Sequence, residues 1–469
     1  MAPLPPDLAT TLKQGFQVCD VGHLEGEALE RYYVDLAPVR SMEAMRSIST
    51  RLEFLEPGEF DTLLFTGHRG CGKSTELQRL RQLWERDYRV IYLEVDTKLD
   101  VNDLDYTDLY LLIIKEIADE MAKLELEFEP SLMRAFERWF MEITAETEET
   151  IEKSVSLATQ AEVGWEIPFI SKLLAKLLAQ IRGATQHKTT LREKLQRDVG
   201  KLKADLNNLL QDGFAKLTAR FADEGLYQRG FLVIFDNLDR VPPEVGDRLY
   251  FNHGTYLREL SCTLIYTVPI SVVYSNKNLN HVFGRSDIVP MVNIYQGTSQ
   301  SITGSSWQLA CDLKRVKRLA GLVAKRVDVR ALFVSPQLVL RLAQASGGHV
   351  RQLMQMTATA CLTAAARRHG QVESEDVDYA IKQGMANFER IISAEDYGVL
   401  AQAAMEKKIV SDEGGQRALF NTSVLEYVGR QGNERWHYVN PLVIPNRFFQ
   451  EALNSSSQVG WVRRPSSPA

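Results

Sequence analysis

The chain has 469 residues, 45% of them hydrophobic and 25% charged, which is ordinary for a folded protein of roughly two to four units. A net charge of -6 excludes a surface coated throughout with phosphate-binding cations and leaves nucleic acid only a local basic patch. Cys19, Cys71, Cys262, Cys311 and Cys361 have neither zinc spacing nor a disulfide framework. No signal peptide opens the chain and no run of about 18 apolar residues would span a bilayer, so the expectation is a cytoplasmic protein without integral membrane association.

Residues 1–24 read as an N-terminal extension with little pattern. Residues 33–40 lead into a helix ending near Phe54 and are candidates to cross over whatever the next loop binds. Leu63 to Thr66 is a short apolar strand, followed by Gly67, His68, Arg69, Gly70, Cys71 and Gly72, and then by a helix opening with Lys73, Ser74 and Thr75. This is GxxxxGK[ST] between an apolar strand and a helix, the context that the motif requires. The glycines let successive amides face one centre, and the first helical turn adds unpaired N–H groups there, so the centre suits phosphate. Lys73 would reach the outer phosphates and Ser74 would offer its hydroxyl to Mg2+. Cys71 lies in that positive field, where the simpler reading is a small loop residue.

Residues 89–96 form the next parallel strand after one crossover helix. Asp108 to Lys123 is an amphipathic helix, and residues 146–159 are polar and acidic with weak periodicity. Ile167, Phe169, Ile170, Leu173, Leu174, Leu177, Leu178 and Ile181 follow a helical period. That helix packs internally, docks on a partner or lies on a membrane surface, and at roughly 22 Å is too short to span lipid. A longer helix follows, with breaks expected at Gly200 or Gly213. Residues 124–225 therefore read as a helical insertion.

The core resumes with Phe231 to Phe235, an apolar strand that presents Asp236 at its carboxyl edge, where nucleotide-bound Mg2+ is held in phosphate-loop proteins. Asp239 is placed to orient or deprotonate a water, and Arg240 to pair with it or enter an interface. Thr267 ends the next strand and would sense the terminal phosphate, with Ser271 as a fallback. Residues 288–294 complete a five-stranded parallel core, and Arg285 is a candidate arginine for a neighbour's phosphate.

A helical region follows, in which Lys314, Arg315, Lys317, Arg318, Lys325, Arg326 and Arg330 form either a solvated face or a patch for nucleic acid or an acidic partner. Arg351 opens a helix after Gly347 and Gly348, where it could lean over bound nucleotide. Residues 394–449 combine helices with a hairpin pairing Val424 to Val428 with Arg435 to Val439, a winged-helix pattern. Residues 450–469 read as a flexible tail.

Together these features resemble an AAA+/STAND-type P-loop ATPase, with likeness to KAP-like signalling and origin-recognition-like ATPases, across residues 25–449. The resemblance implies an α/β fold: a P-loop NTPase parallel sheet over 25–300 carrying the 124–225 insertion, a helical lid over 301–393 and a C-terminal winged-helix domain. It assigns Lys73 to phosphate, Ser74 and Asp236 to Mg2+, Thr267 to the first sensor and Arg351 to the second. Many AAA+ ATPases place glutamate immediately after the magnesium-associated aspartate, whereas this chain has Asn237. Either Asp239 takes the catalytic role or hydrolysis is slow.

The leading expectation is an ATP/ADP-operated switch that acts through a homo-oligomer or an effector-protein complex, in bacterial signalling or anti-phage defence as the resemblance implies. The alternatives are a DNA-binding loader or remodelling ATPase, and a nucleotide-binding scaffold with little hydrolysis. No nuclease or protease constellation accompanies the ATPase motifs.

Overall fold

The computed structural model describes residues 8–19, 22–145, 169–182, 186–296, 307–429 and 434–458. The acidic stretch 146–159, Ile167, the turn residues 430–433 and residues 459–469 lie outside them.

Five parallel strands form one sheet in the order β2-β3-β4-β1-β5: β1 (Thr62–Gly67), β2 (Arg89–Glu94), β3 (Phe231–Asp236), β4 (Thr263–Pro269) and β5 (Ser286–Val289). Their continuous apolar runs are those of strands covered on both faces. Alternation divides the side chains between two cores. Leu63, Phe65, Leu232, Ile234 and Ile265 enter one, while Leu64, Val233, Phe235, Leu264 and Tyr266 enter the other. The last strand is displaced from the expected 288–294. It stops at Val289 because Pro290 has no N–H to continue the ladder. Met291 and Asn293 instead donate their amides to Glu426 O and Val39 O, both at 3.0 Å.

The first face carries α2 (Lys73–Trp84), while α1 (Leu12–Val18), from the extension that showed no pattern in sequence, lies against the helix Val350–Ala366 further along the chain. Thr11 caps α1 by accepting the Gln14 amide. Leu77, Leu80 and Trp84 of α2 join the first core.

The second face is covered by α3 (Tyr106–Lys123) and by the insertion helices α4 (Phe169–Arg182), α5 (Gln186–Arg197) and α6 (Val199–Arg220). Leu174, Leu177, Leu178 and Ile181 of α4 are buried in the same core as Leu109, Ile113 and Ile117 of α3. The amphipathic stripe is thus spent on internal packing, each large side chain contributing about 2 kcal/mol. Arg192 of α5 pins the insertion to α3 and to the turn before it, donating to Asp108 Oδ1 at 3.1 Å and Asp103 Oδ1 at 3.0 Å. The expected breaks at Gly200 and Gly213 do not occur, because α6 runs through both and the helices part at Asp198. At Gly213 a Cβ would lie 3.3 Å from Phe128 and 3.4 Å from Phe231, so the glycine serves packing.

Beyond the sheet come the helices of the segment expected to form a lid, α7 (Leu313–Ala324), Pro336–Ala345, α8 (Val350–Ala366) and Ser374–Ile391. The C-terminal unit follows with α9 (Tyr397–Glu406), α10 (Glu413–Phe420), the antiparallel pair β6 (Val424–Val428) and β7 (Arg435–Val439), and α11 (Arg447–Gln458). α11 continues past residue 449, where a flexible tail was expected, because Phe449 and Leu453 are buried apolar anchors. One hydrophobic cluster runs from the first sheet face through the lid into this unit. Among the described residues no helix is long and apolar enough to cross a membrane.

Candidate functional site

The phosphate-type loop joins β1 to α2 at the carboxyl edge of the sheet. Gly70 adopts φ +79, and a Cβ there would lie 2.5 Å from His349 Cε1 and 2.6 Å from Arg351 Cβ. Glycine is therefore required both by the left-handed backbone and by the close approach of the lid. Gly70 O accepts the Arg351 amide at 3.1 Å, so loop and lid meet through main chain.

Above the loop lies a cavity with about 920 Å³ of empty space including its mouth. Its walls come from residues 69–76, from the strap around Tyr33, from Asp239, and from Arg326 and Arg351 of the lid. Lys73 Nζ donates to Gly67 O and His68 O, each at 2.9 Å, and lies 2.8 Å from Asp239 Oδ2. Burial alone would depress the Lys73 pKa, but the Asp239 carboxylate outweighs it and holds the value above that of ordinary lysine. Ser74 lines the cavity.

Asp236 stands at the end of β3, with 1% exposure. Its carboxylate accepts the Tyr92 hydroxyl at 2.6 Å and the Asn237 amide at 2.8 Å, and it is not among the cavity's lining residues. Asn237 has φ +64 and turns its side-chain amide to Asp96 Oδ1 at 2.8 Å, while Arg240 also pairs with Asp96. The left-handed turn at Asn237 therefore brings Asp239, two residues later, to Lys73.

Thr267 lies in β4, outside the residues that line the cavity. It is fully buried, donates to Phe235 O at 2.9 Å and accepts the Leu238 and Asp239 amides at 3.0 and 3.3 Å. Its hydroxyl fixes the turn that carries Asp239 and does not line the cavity. Ser271 is buried as well. Arg351 does line the cavity, where burial and the neighbouring Arg240 lower its pKa. Arg69 stacks over Phe420 at 5.6 Å. Cys71 is 1% exposed and its carbonyl accepts Arg40 Nη1 at 2.8 Å. Thr75 accepts the Leu24 amide at 3.4 Å. Arg285 is 68% exposed beside Asp287. The seven-residue basic stretch is divided, with Arg315 and Arg326 buried and Arg318 donating to Asp35 O.

Sequence reading missed Glu76, which takes Arg40 at 2.5 Å and Arg79 at 3.0 Å. It also missed Tyr92 and Asp96, whose spacing carries no motif, and it put Arg326 in a basic stretch without foreseeing that it lines this cavity. The chemistry of the site fits a nucleotide with a hard divalent cation. Amides and Lys73 suit phosphate, and the Ser74 hydroxyl and Asp236 carboxylate are hard oxygen donors. Tyr32 Oη, Arg40 Nε and Arg326 Nε are buried without hydrogen-bond partners on residues lining the same cavity, as expected of groups shaped for a polar ligand.

No protein-family model matches the chain, and no curated protein matches it. Among solved structures it is similar to Cdc6p from Pyrobaculum aerophilum, at 12% identity and a TM-score of 0.37 over 94% of this chain and 98% of that one. It is also similar to the ORC2 protein of Aeropyrum pernix, at 11% identity and a TM-score of 0.39 over 94% and 98% of the two chains. A Walker-type ATPase of Pyrococcus abyssi matches at 13% identity and a TM-score of 0.37 over 93% and 99%.

Proposed function

We propose that the chain binds ATP with Mg2+, hydrolyses it slowly to ADP and phosphate, and uses the nucleotide state to switch its assembly with copies of itself or with an effector. The observation that supports this most is the convergence of Lys73, Asp239 and Arg351, from three separate elements, on one cavity beside a curled loop of amides. Ser74 would hold Mg2+ bound with the nucleotide, joined by Asp236 once its carboxylate turns from the Tyr92 hydroxyl, and the ion would neutralise charge at the phosphates.

Lys73 exchanges its loop carbonyls and Asp239 for phosphate oxygens. Asp239, released from the lysine, is then free to orient the attacking water, and the need to open this buried pair first accounts for slow turnover. Arg351, which faces Asp239 across the cavity, also meets phosphate oxygens and so holds the lid against the core. The setting, signalling or anti-phage defence, follows the family resemblance alone.

The test is particle size measured with ADP, ATP and a non-hydrolysable ATP analogue, beside phosphate release by the wild type and Lys73→Ala. Nucleotide-dependent assembly with turnover lost in Lys73→Ala is expected. Identical compact monomers in all three states, or turnover that survives the substitution, would overturn the reading. The DNA-loader alternative gains nothing from α10, whose Arg417 is committed to Asp396 at 2.8 Å and Glu395 at 3.0 Å.

A further inference from the structure

The phosphate-type loop is held from behind by the C-terminal unit, through Arg69 stacked over Phe420 and through the ring of His68. His68 is fully buried. Its Nε2 accepts the Glu426 amide of β6 at 2.8 Å, so its proton sits on Nδ1, which donates to Leu419 O of α10 at 3.2 Å. Both ring nitrogens are used and the ring is neutral. The carbonyl of the same residue accepts Lys73 Nζ at 2.9 Å.

The surroundings hold the C-terminal side of this contact firmly. Glu426 O accepts the Met291 amide at 3.0 Å, and the Glu426 carboxylate takes the Tyr274 hydroxyl and Arg435. Among the described residues none of the C-terminal unit lines the cavity. His68 therefore touches the phosphate lysine through its backbone and the C-terminal unit through its ring, while the unit itself stays clear of the site.

Resting on the nucleotide reading above, we infer that His68 is a positioning residue through which the C-terminal unit restrains the phosphate loop, and that a bound triphosphate loosens this hold. Lys73 is occupied here by the carbonyls of Gly67 and His68 and by Asp239. A phosphate that draws Lys73 away removes the cation from the His68 carbonyl and shifts the loop on which the ring is carried. By reciprocity, freeing the ring favours the phosphate-bound loop.

Hydrogen exchange at the Glu426 amide reads the contact directly, because that amide donates to the His68 ring. In the full chain, exchange should accelerate on adding Mg2+ with a non-hydrolysable ATP analogue. His68→Leu should exchange fast with or without nucleotide and bind the analogue roughly tenfold tighter. His68→Gln, which keeps an acceptor near the Nε2 position, should restore protection and its nucleotide dependence. His68→Asn, which keeps only a group near Nδ1, should not.

Unchanged or slower Glu426 exchange in wild-type protein that measurably binds the analogue would overturn this inference and leave the nucleotide reading intact. Analogue affinity unchanged or weakened in a folded His68→Leu would also overturn it. Absence of any binding by the wild type would instead sink the nucleotide reading. Should His68→Leu fail to fold, the wild-type exchange experiment decides by itself.

Discussion

Replacing Asp239 with asparagine should weaken the empty protein and strengthen its grip on nucleotide. Asp239 and Lys73 are 2.8 Å apart, with side chains 7% and 4% exposed. At an effective dielectric constant of about 20 the gross attraction is about 6 kcal/mol. Desolvation offsets much of that, and removing one partner of such a buried pair costs about 3 kcal/mol because the other charge is left uncompensated. Lys73 would keep Gly67 O and His68 O, neither of which neutralises it. Bound phosphate does, so the loss is smaller in the complex, and each recovered increment of about 1.4 kcal/mol appears as a tenfold gain in affinity.

Asp239→Asn should therefore unfold at a lower denaturant concentration without nucleotide, bind a non-hydrolysable analogue roughly tenfold tighter, and turn ATP over at least roughly tenfold more slowly. Denaturant titration, fluorescence titration and phosphate release measure the three effects. A Lys73→Met/Asp239→Leu double variant should recover the lost stability while losing nucleotide. If Asp239→Asn is as stable as the wild type and binds no more tightly, the ion pair is not what opposes phosphate in the empty site.

If the Arg351 guanidinium meets the outermost phosphate, as proposed, Arg351→Met should weaken binding of the ATP analogue roughly tenfold and that of ADP by roughly twofold or less; equal losses in paired titrations would refute that role. Arg192→Met leaves Asp108, 1% exposed at the side chain, without its cation and should cost about 3 kcal/mol in denaturant with analogue affinity unaltered. A variant as stable as the wild type would show the insertion to be held by its leucines alone. Burial pushes both His68 and His349 from the ordinary 6.5 down to about 3. The unfolded chain then takes up protons that the folded chain refuses, so this stability is complete above about pH 6.5 and is lost progressively as pH falls toward 3. At pH 5.5 the two histidines together should cost about 3 kcal/mol relative to pH 7.5. The drop in unfolding midpoint should be shallower in His68→Gln, and an identical pH profile would dissociate His68 from it.

Local chemistry alone was enough to locate the loop from Gly67 to Ser74 and the acid at Asp236, because glycine conformational freedom, a strand–helix junction and an apolar run are properties of adjacent residues. Four of the five parallel strands were legible in place for the same reason, the fifth being displaced to Ser286–Val289, and so was the hairpin in which Val424 pairs with Val439. What lay beyond reach were pairings set by packing at long range. Sequence could not tell that the α4 stripe is covered by α3, that Asn237 turns left-handed and so delivers Asp239 to Lys73, or that Thr267 is consumed by that turn. Nor could it tell that His68, lying among glycines and read only as part of the loop, reaches Leu419 and Glu426 some 350 residues further on. Such contacts depend on which surfaces meet once the sheet has formed. Burial then decides which polar groups must find partners, and no spacing along the chain encodes that choice.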